Sequence, residues 1–167
     1  KMNAGCFGKE FKDILVSIQA INYLGHVVTI PVEEIKFDYR NNNLPENLIF
    51  LSASFKGEKA DFKKIEEETI RLKAEKEKKQ PTRVKTSGST FKNPILQTQK
   101  KVWELIKESV PLDITFGDAC ISKKHCNFFV NKGNASYEDM KKLIDFVSNK
   151  VLEKTGISLE TEIKILK

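Results

Sequence analysis

The 167-residue chain is poor in several features that define particular protein classes. It has three cysteines, Cys6, Cys120 and Cys126, and their number and spacing argue against a disulfide framework and favour a reducing compartment. No Cys-x-x-Cys pair occurs beside the two histidines, so we expect no metal site. No apolar run approaches the roughly 20 residues of a membrane-spanning helix, and residues 1–5 hold no signal-peptide segment. We therefore expect a cytoplasmic location and no membrane association.

Long blocks of one charge sign are also lacking, although the chain carries a net charge of +6. Acidic and basic residues alternate between Lys56 and Lys85, a pattern that indicates a solvated, ion-paired helix face. The run from Glu66 to Lys79 has no interleaved aromatic residues, which a nucleic-acid surface would need, so we expect no nucleic-acid partner. A basic nucleic-acid-binding module around 56–85 stays open as an alternative. The positive field favours an anionic small substrate such as a nucleotide sugar.

Apolar residues make up 40% of the chain and aromatic residues 9%, which is enough for a hydrophobic core and excludes a largely disordered chain. The first half carries strand patterns. Apolar and β-branched runs at 13–22 and 26–30 flank the turn Tyr23–Gly25 and predict a hairpin. Alternating residues predict a third strand at 48–55, after a polar, turn-rich loop at 37–45.

A change to helical spacing then predicts a helix over 61–79. Asp61 is a candidate N-cap, and Gln80-Pro81 would end the helix. The polar segment 80–90, which contains proline and glycine, is the best candidate for a domain boundary or an active loop.

The second half reads as a mixture of helices and strands. We expect a helix at 97–110, a buried strand at 126–130 and a final strand at 159–166. Ser136 and Asp139 resemble a capping box that opens another helix, and Gly156 sits where its C-cap belongs. The helix at 97–110 should turn one side to the core: Val102, Trp103, Ile106 and Val110. The second helix should do the same: Met140, Leu143, Ile144, Val147 and Val151. The fold class is therefore α+β.

Four places could carry chemistry. Small residues at 3–8 let backbone N–H groups approach a phosphate or a ring, although a plain turn explains them as well. Arg40 could bind a carboxylate or phosphate, or simply lie on the surface. Segment 87–94 packs hydroxyls, a cation and an amide together, but it could be a polar connector. Glu162 could act as an acid, or could face solvent from a strand.

These places occur within five motifs in chain order: N-A-G-C-F-G at 3–8, F-D-Y-R at 37–40, G-S-T-F-K-N-P at 88–94, G-D-A with I-S-K-K-H-C-N-F-F-V-N at 117–131, and L-E-T-E-I at 159–163. Together they resemble the motifs of the UDP-N-acetylenolpyruvoylglucosamine reductase family. The resemblance covers nearly the whole chain, and the motif at 88–94 is its most specific part.

The resemblance implies the end of a PCMH/VAO-type FAD-binding domain at 1–80, followed by an α/β substrate-binding domain at 81–167. It also implies that the family's N-terminal flavin-binding lobe would lie before Asn3. That lobe is absent from this sequence. We expect a monomer that needs the lobe for full cofactor binding.

The activity that the resemblance implies is the NADPH- and FAD-dependent reduction of UDP-N-acetylglucosamine enolpyruvate to UDP-N-acetylmuramate, a step of peptidoglycan precursor synthesis. Ser89 would be the general acid, and Arg40 and Glu162 would stabilise the enolate. The resemblance also assigns four cofactor-binding residues: Asn3, Ala4, Gly5 and Gly8. It assigns three residues to the substrate: Lys79, Lys92 and Asn93.

Several positions depart from the family pattern. Cys6 and Phe7 replace alanine and tyrosine, Asn42 replaces a serine, and Thr161 replaces a proline. An alternative from another class is a catalytically silent remnant that retains only the binding of a UDP-sugar.

Overall fold

A computed structural model describes residues 1–166 of the chain, which divides into two compact units. The N-terminal unit is Lys1–Phe62, and the C-terminal unit begins at Lys63. The strands of the N-terminal unit are β1 (Gly5–Cys6), β2 (Lys9–Glu10), β3 (Leu15–Asn22), β4 (Val27–Pro31), β5 (Phe37–Asp38), β6 (Asn41–Asn42) and β7 (Leu48–Phe55). The later elements are α1 (Phe62–Lys79), β8 (Lys85–Ser89), α2 (Val102–Ser109), β9 (Thr115–Phe116), β10 (Ala119–Ile121), β11 (Phe128–Asn131) and α3 (Tyr137–Thr155). The mixture of helices and antiparallel sheets confirms the α+β class.

The N-terminal unit is built on an antiparallel sheet in the order β4-β3-β7. This arrangement confirms the predicted hairpin and the predicted third strand. The central strand β3 is paired on both sides, because Ile18 lies opposite Ile30 and also opposite Ala53. Its apolar residues supply most of a small core made of Leu15, Ile18 and Ile35. Strand β7 is at the edge of the sheet, and all its residues after Leu48 are exposed.

The segment between these strands is more regular than predicted. Residues 37–45, expected to be a loop, contain the small hairpin formed by β5 and β6, in which Phe37 pairs with Asn42 and Asp38 with Asn41. Two-residue strands give too little alternation for a sequence pattern to reveal them.

The C-terminal unit has a four-stranded antiparallel sheet in the order β8-β11-β10-β9, and α3 packs against β9, β10 and α2. Fourteen buried residues form its core, and Leu105, Leu143, Val147 and Val151 are fully inaccessible. The rings of Phe91 and Phe129 meet edge to face, with centroids 5.9 Å apart.

Helix α3 follows its sequence pattern closely. Ser136 accepts a hydrogen bond from Asp139 N at 3.1 Å, and Ser136 N donates to the Asp139 carboxylate at 3.0 Å, so the capping box is confirmed. The helix ends at Gly156, whose φ of 72° is left-handed. Four of the five predicted apolar positions are buried, and Met140 is partly buried.

Helix α2 is shorter than the predicted 97–110. The chain before it turns instead, with Gln97 N and Thr98 N donating to Pro94 O. Asn93 Oδ1 then accepts from Val102 N at 3.0 Å and fixes the start of the helix. The predicted buried side was also partly wrong, because Trp103 is 42% exposed. Leu105 fills the core in its place, since positions 102, 105 and 106 lie on one helix face.

In this unit one strand prediction was wrong, and three strands were not predicted. Segment 159–166 forms no strand; only Thr161 pairs, with Phe91, as an isolated bridge. Part of the supposed polar connector is the edge strand β8, which is rich in serine and threonine and therefore lacks an apolar signal. Strands β9 and β10 were missed because they are only two and three residues long.

Helix α1 buries none of its residues. Its charges pair along the surface: Arg71 contacts Glu68 at 2.6 Å, and Lys79 contacts Glu75 at 2.5 Å. This confirms the predicted solvated, ion-paired face and the helix end before Pro81. Among the helices of residues 1–166, none has the length and apolar character needed to cross a membrane.

Candidate functional site

The C-terminal unit brings Ser89 and Glu162 to neighbouring backbone positions. Ser89 ends β8 and pairs with Phe128. Directly after it, Thr90 O accepts from Glu162 N at 2.8 Å, and Lys92 N donates to Glu160 O at 2.9 Å. We call residues 89–92 and 160–162 the junction. It joins two of the predicted site residues that are far apart in the sequence, and both are half-buried.

A bulge in β8 sets the direction in which Ser89 enters the junction. The pairing of β8 with β11 shifts register between Phe128 and Val130. Gly88 lies at this irregularity with a φ of 85°, and a Cβ placed there would meet nothing within 4 Å. Glycine is therefore required for its backbone conformation rather than for space, which explains its place in the motif before Ser89.

Asn127 holds the junction through hydrogen bonds to Thr90 and Phe91, and the sequence analysis did not predict this role. It is buried, its Nδ2 donates to Phe91 O at 2.9 Å, and its Oδ1 accepts from Phe91 N at 3.0 Å. Its own carbonyl accepts from Thr90 N at 2.7 Å. The only sequence signal was its place in the motif at 117–131.

The three residues assigned to the substrate have different surroundings. Lys92 belongs to the junction, where its Nζ contacts Glu160 Oε1 at 2.5 Å. Asn93 follows it and uses its side-chain oxygen to hold the start of α2. Lys79 is exposed at the end of α1, where it pairs with Glu75. A cavity of about 320 Å³ opens beside the junction, and its wall includes Ser87, Thr90 and Ile163.

His125 and Cys126 lie just before Asn127, and burial changes the protonation of both. Burial lowers the pKa of His125, and its Nδ1 accepts from Asn127 N at 3.3 Å. Burial raises the pKa of the Cys126 thiol, which donates to Trp103 O at 3.1 Å. Both groups therefore favour their neutral forms. Within residues 1–166, no three His, Cys, Asp or Glu side chains group together as metal ligands.

The predicted cofactor residues of the N-terminal unit form a tight hairpin. Strands β1 and β2 are joined by Phe7 and Gly8, whose φ values of 53° and 75° are typical of a type I′ turn. Ala4, Gly5 and Gly8 are exposed. Asn3 is buried beneath them: its Nδ2 donates to Glu10 at 2.9 Å, and its Oδ1 accepts from Lys12 N at 3.2 Å. The Asn3 side chain therefore stabilises the hairpin, and the backbone of its neighbours faces outward.

Arg40 lies in the same unit, in the turn between β5 and β6. Its φ is 58°, and its guanidinium carbon lies 5.1 Å from the centre of the Tyr39 ring. Hydrogen bonds from Lys12 and then Asn3 lower the pKa of Glu10, and the positive charge of Arg40 lowers it slightly further. Arg40 is thus within electrostatic reach of the hairpin at 3–10.

Asn42, which the sequence analysis identified as a departure from the family pattern, has a structural role. It is buried, its Nδ2 donates to Lys1 O at 2.7 Å, and its Oδ1 accepts from Leu44 N at 2.9 Å. This departure from the family pattern is therefore accommodated by backbone contacts.

Comparisons with known proteins converge on one family. Residues 80–166 match the family model described as UDP-N-acetylenolpyruvoylglucosamine reductase, C-terminal domain. A UDP-N-acetylenolpyruvoylglucosamine reductase of Pelagibacter ubique is 70% identical over all 167 residues, which is 55% of that protein. The reductase of Rickettsia conorii is 46% identical over 98% of this chain and 54% of its own length.

A solved structure agrees with these matches. The crystal structure of UDP-N-acetylenolpyruvylglucosamine reductase from Thermus caldophilus superimposes with a TM-score of 0.80 at 30% sequence identity. The match covers 98% of this chain and 57% of that one. The chain thus spans about half the length of the curated relatives that it matches.

Proposed function

The chain belongs to the UDP-N-acetylenolpyruvoylglucosamine reductase family, and from this we propose that it contributes to the reduction of UDP-N-acetylglucosamine enolpyruvate to UDP-N-acetylmuramate. This reaction belongs to peptidoglycan precursor synthesis in the cytoplasm. The observation that carries the proposal is the hydrogen bond from Glu162 N to Thr90 O, because it joins Glu162 to the residue that directly follows Ser89.

Ser89 is the proposed general acid that protonates the substrate carbon next to the site of reduction. A serine hydroxyl is a weak acid in water and needs polarising neighbours in a partly dry site. Its half-buried position at the end of β8, one residue before Thr90, whose carbonyl accepts from Glu162 N, supports this assignment. Arg40 and Glu162 are the proposed groups that stabilise the enolate, since developing negative charge needs a fixed cation and hydrogen bonds directed at it.

Lys92, Asn93 and Lys79 are the proposed contacts to the nucleotide sugar. An ammonium group suits a phosphate as a point charge. Lys92 belongs to the junction and Asn93 follows it directly, which supports their assignment more strongly than that of Lys79, which lies on the exposed helix α1.

FAD, reduced by NADPH, supplies hydride when it is bound. The hairpin at 3–10 fits part of such a site, because Ala4, Gly5 and Gly8 expose backbone that a phosphate or a ring can approach. Asn3 would hold this backbone in place through Glu10 and Lys12. We assign residues 1–80 to the end of the FAD-binding domain and 81–167 to the substrate-binding domain.

A titration of the purified chain with FAD tests the cofactor half of the proposal. Saturable quenching of flavin fluorescence would support the assignment of the 3–8 segment, and its absence would show that this segment does not suffice to bind FAD. If FAD does not bind but UDP-N-acetylglucosamine still raises the melting temperature, the alternative of a silent UDP-sugar-binding unit holds for this chain.

Where FAD does bind, NADPH-dependent turnover tests the catalytic half. Removal of the general acid in Ser89→Ala should lower kcat by about 100-fold or more. Ser87→Ala is the matched control, because it removes a hydroxyl two residues earlier on the same strand. Equal rates in the two variants would contradict the assignment of Ser89.

A further inference from the structure

Asn127 makes an unusual set of contacts for a residue with no place in the chemistry described above. Only 3% of its surface is exposed, yet its carboxamide both donates to and accepts from the backbone of one residue, Phe91. A carboxamide carries an N–H donor and a carbonyl acceptor on one planar group, which is what such a two-way bridge needs. Asn127 therefore acts as a substitute strand partner for the backbone that follows Ser89.

We propose that Asn127 is a positioning residue that sets the placement of Ser89 relative to Glu162. This inference rests on the proposed function of those two residues. Thr90 connects the groups: its N donates to Asn127 O, and its carbonyl accepts from Glu162 N. If Phe91 is not held by Asn127, the edge to which residues 160–162 bond can shift, and Glu162 shifts with it.

A second amide bridge in the same unit shows why burial matters here. Gln97 Nε2 donates to Ser158 O at 2.8 Å, and Gln97 Oε1 accepts from Ser158 N at 3.0 Å. This bridge is exposed, so water can replace a lost hydrogen bond. At Asn127 no water replaces it, and Phe91 would keep an unpaired backbone group in the core.

Amide hydrogen exchange of the full chain tests the positioning directly. Asn127→Leu has a similar size but removes both the donor to Phe91 O and the acceptor from Phe91 N. Exchange at the Glu162 amide should become about tenfold faster in this variant. The matched variant Gln97→Met, which removes the same two groups from the exposed bridge, should change it by less than about twofold. Asn127→Ala serves as a second variant should Asn127→Leu fail to fold. Unchanged exchange at Glu162 in a folded Asn127 variant would overturn the proposal.

Ligand affinity separates positioning from a merely structural effect. UDP-N-acetylglucosamine lacks the enolpyruvyl group on which Ser89 and Glu162 are proposed to act. Calorimetry with the Asn127 variant should show about tenfold weaker binding of UDP-N-acetylglucosamine enolpyruvate and a change below about twofold for UDP-N-acetylglucosamine. Equal losses for both nucleotides would overturn a positioning role. If the wild-type chain binds neither nucleotide, the proposed function fails, and the exchange rate at Glu162 alone then decides the inference.

Discussion

The two units bury their apolar residues to very different extents. The C-terminal unit buries fourteen residues in one cluster, whereas the N-terminal unit buries a cluster of three, Leu15, Ile18 and Ile35. Strand β7 adds little to the smaller core, since Ile49, Leu51 and Phe55 are each about half exposed. The difference arises because a helix covers only one of the two sheets. Helix α3 packs on the sheet of the C-terminal unit. In the N-terminal unit, the elements that pack beside β3 are strands and a short 3₁₀ turn. A sheet without a helix packed on it buries fewer apolar residues.

The largest effect expected from this difference is in matched leucine truncations. Leu143→Ala removes a fully buried side chain from the larger core and should cost about 3–5 kcal/mol in the free energy of unfolding. Leu15→Ala acts on the smaller core, which can relax more easily, and should cost about 2–3 kcal/mol. Urea unfolding followed by circular dichroism measures both. Leu96→Ala is the control, because Leu96 is 97% exposed. An equal or greater loss at Leu15 would remove the contrast between the units.

The second effect tests the local contribution of the α3 cap. Ser136→Ala removes the hydroxyl that accepts from Asp139 N and should destabilise the C-terminal unit by about 1 kcal/mol. Trp103, the single tryptophan, reports the unfolding of this unit by fluorescence. Ser148→Ala, in the middle of the same helix, should be neutral or slightly stabilising, because alanine has the higher helix propensity. A loss at position 148 as large as at 136 would contradict the capping argument.

A smaller effect concerns the pH dependence of the C-terminal unit. Because burial lowers the pKa of His125 below its ordinary value of 6.5, the unfolded chain binds the extra proton more readily. The stability that neutral His125 supplies is fully present above pH 6.5 and is lost as the pH falls below it. Unfolding midpoints between pH 7.5 and 5 should therefore decline less steeply in His125→Gln than in the wild type.

The smallest effect is expected on α1. Arg71 contacts Glu68 and Glu75. The side chains of Arg71 and Glu68 are mostly exposed and that of Glu75 is partly exposed, and ion pairs in contact with water add little stability. Arg71→Gln should leave the unfolding midpoint of the chain unchanged within error. A shift as large as that of Ser136→Ala would show that α1 contributes to a folded unit in a way that its surface ion pairs do not explain.

Local patterns were reliable where one face of an element is continuously buried. Helix α3 was predicted with its cap, its apolar face and its terminal glycine, and the β3–β4 hairpin with its turn. The errors fell on elements whose pairing is long-range. Strand β8 reads as a polar loop because it is a sheet edge, and segment 159–166 alternates like a strand although only Thr161 pairs. Trp103 was predicted to be buried and is exposed, because the apolar pairs 102–103 and 105–106 leave the rotation of a short helix undecided.

The candidate site shows the same contrast between local sequence patterns and long-range contacts. The identities of Ser89, Glu162 and Arg40 follow from the sequence motifs, because side-chain chemistry and spacing within a motif are local properties. Other features of the site join residues that are far apart in the sequence. These are the hydrogen bond between Thr90 and Glu162 and the hydrogen bonds between Asn127 and Phe91. By itself the sequence determined the family and the fold class, and the residues proposed to carry the chemistry come from it as well. Only the tertiary structure decided which of them meet, because backbone pairing between distant segments has no signature in either segment alone.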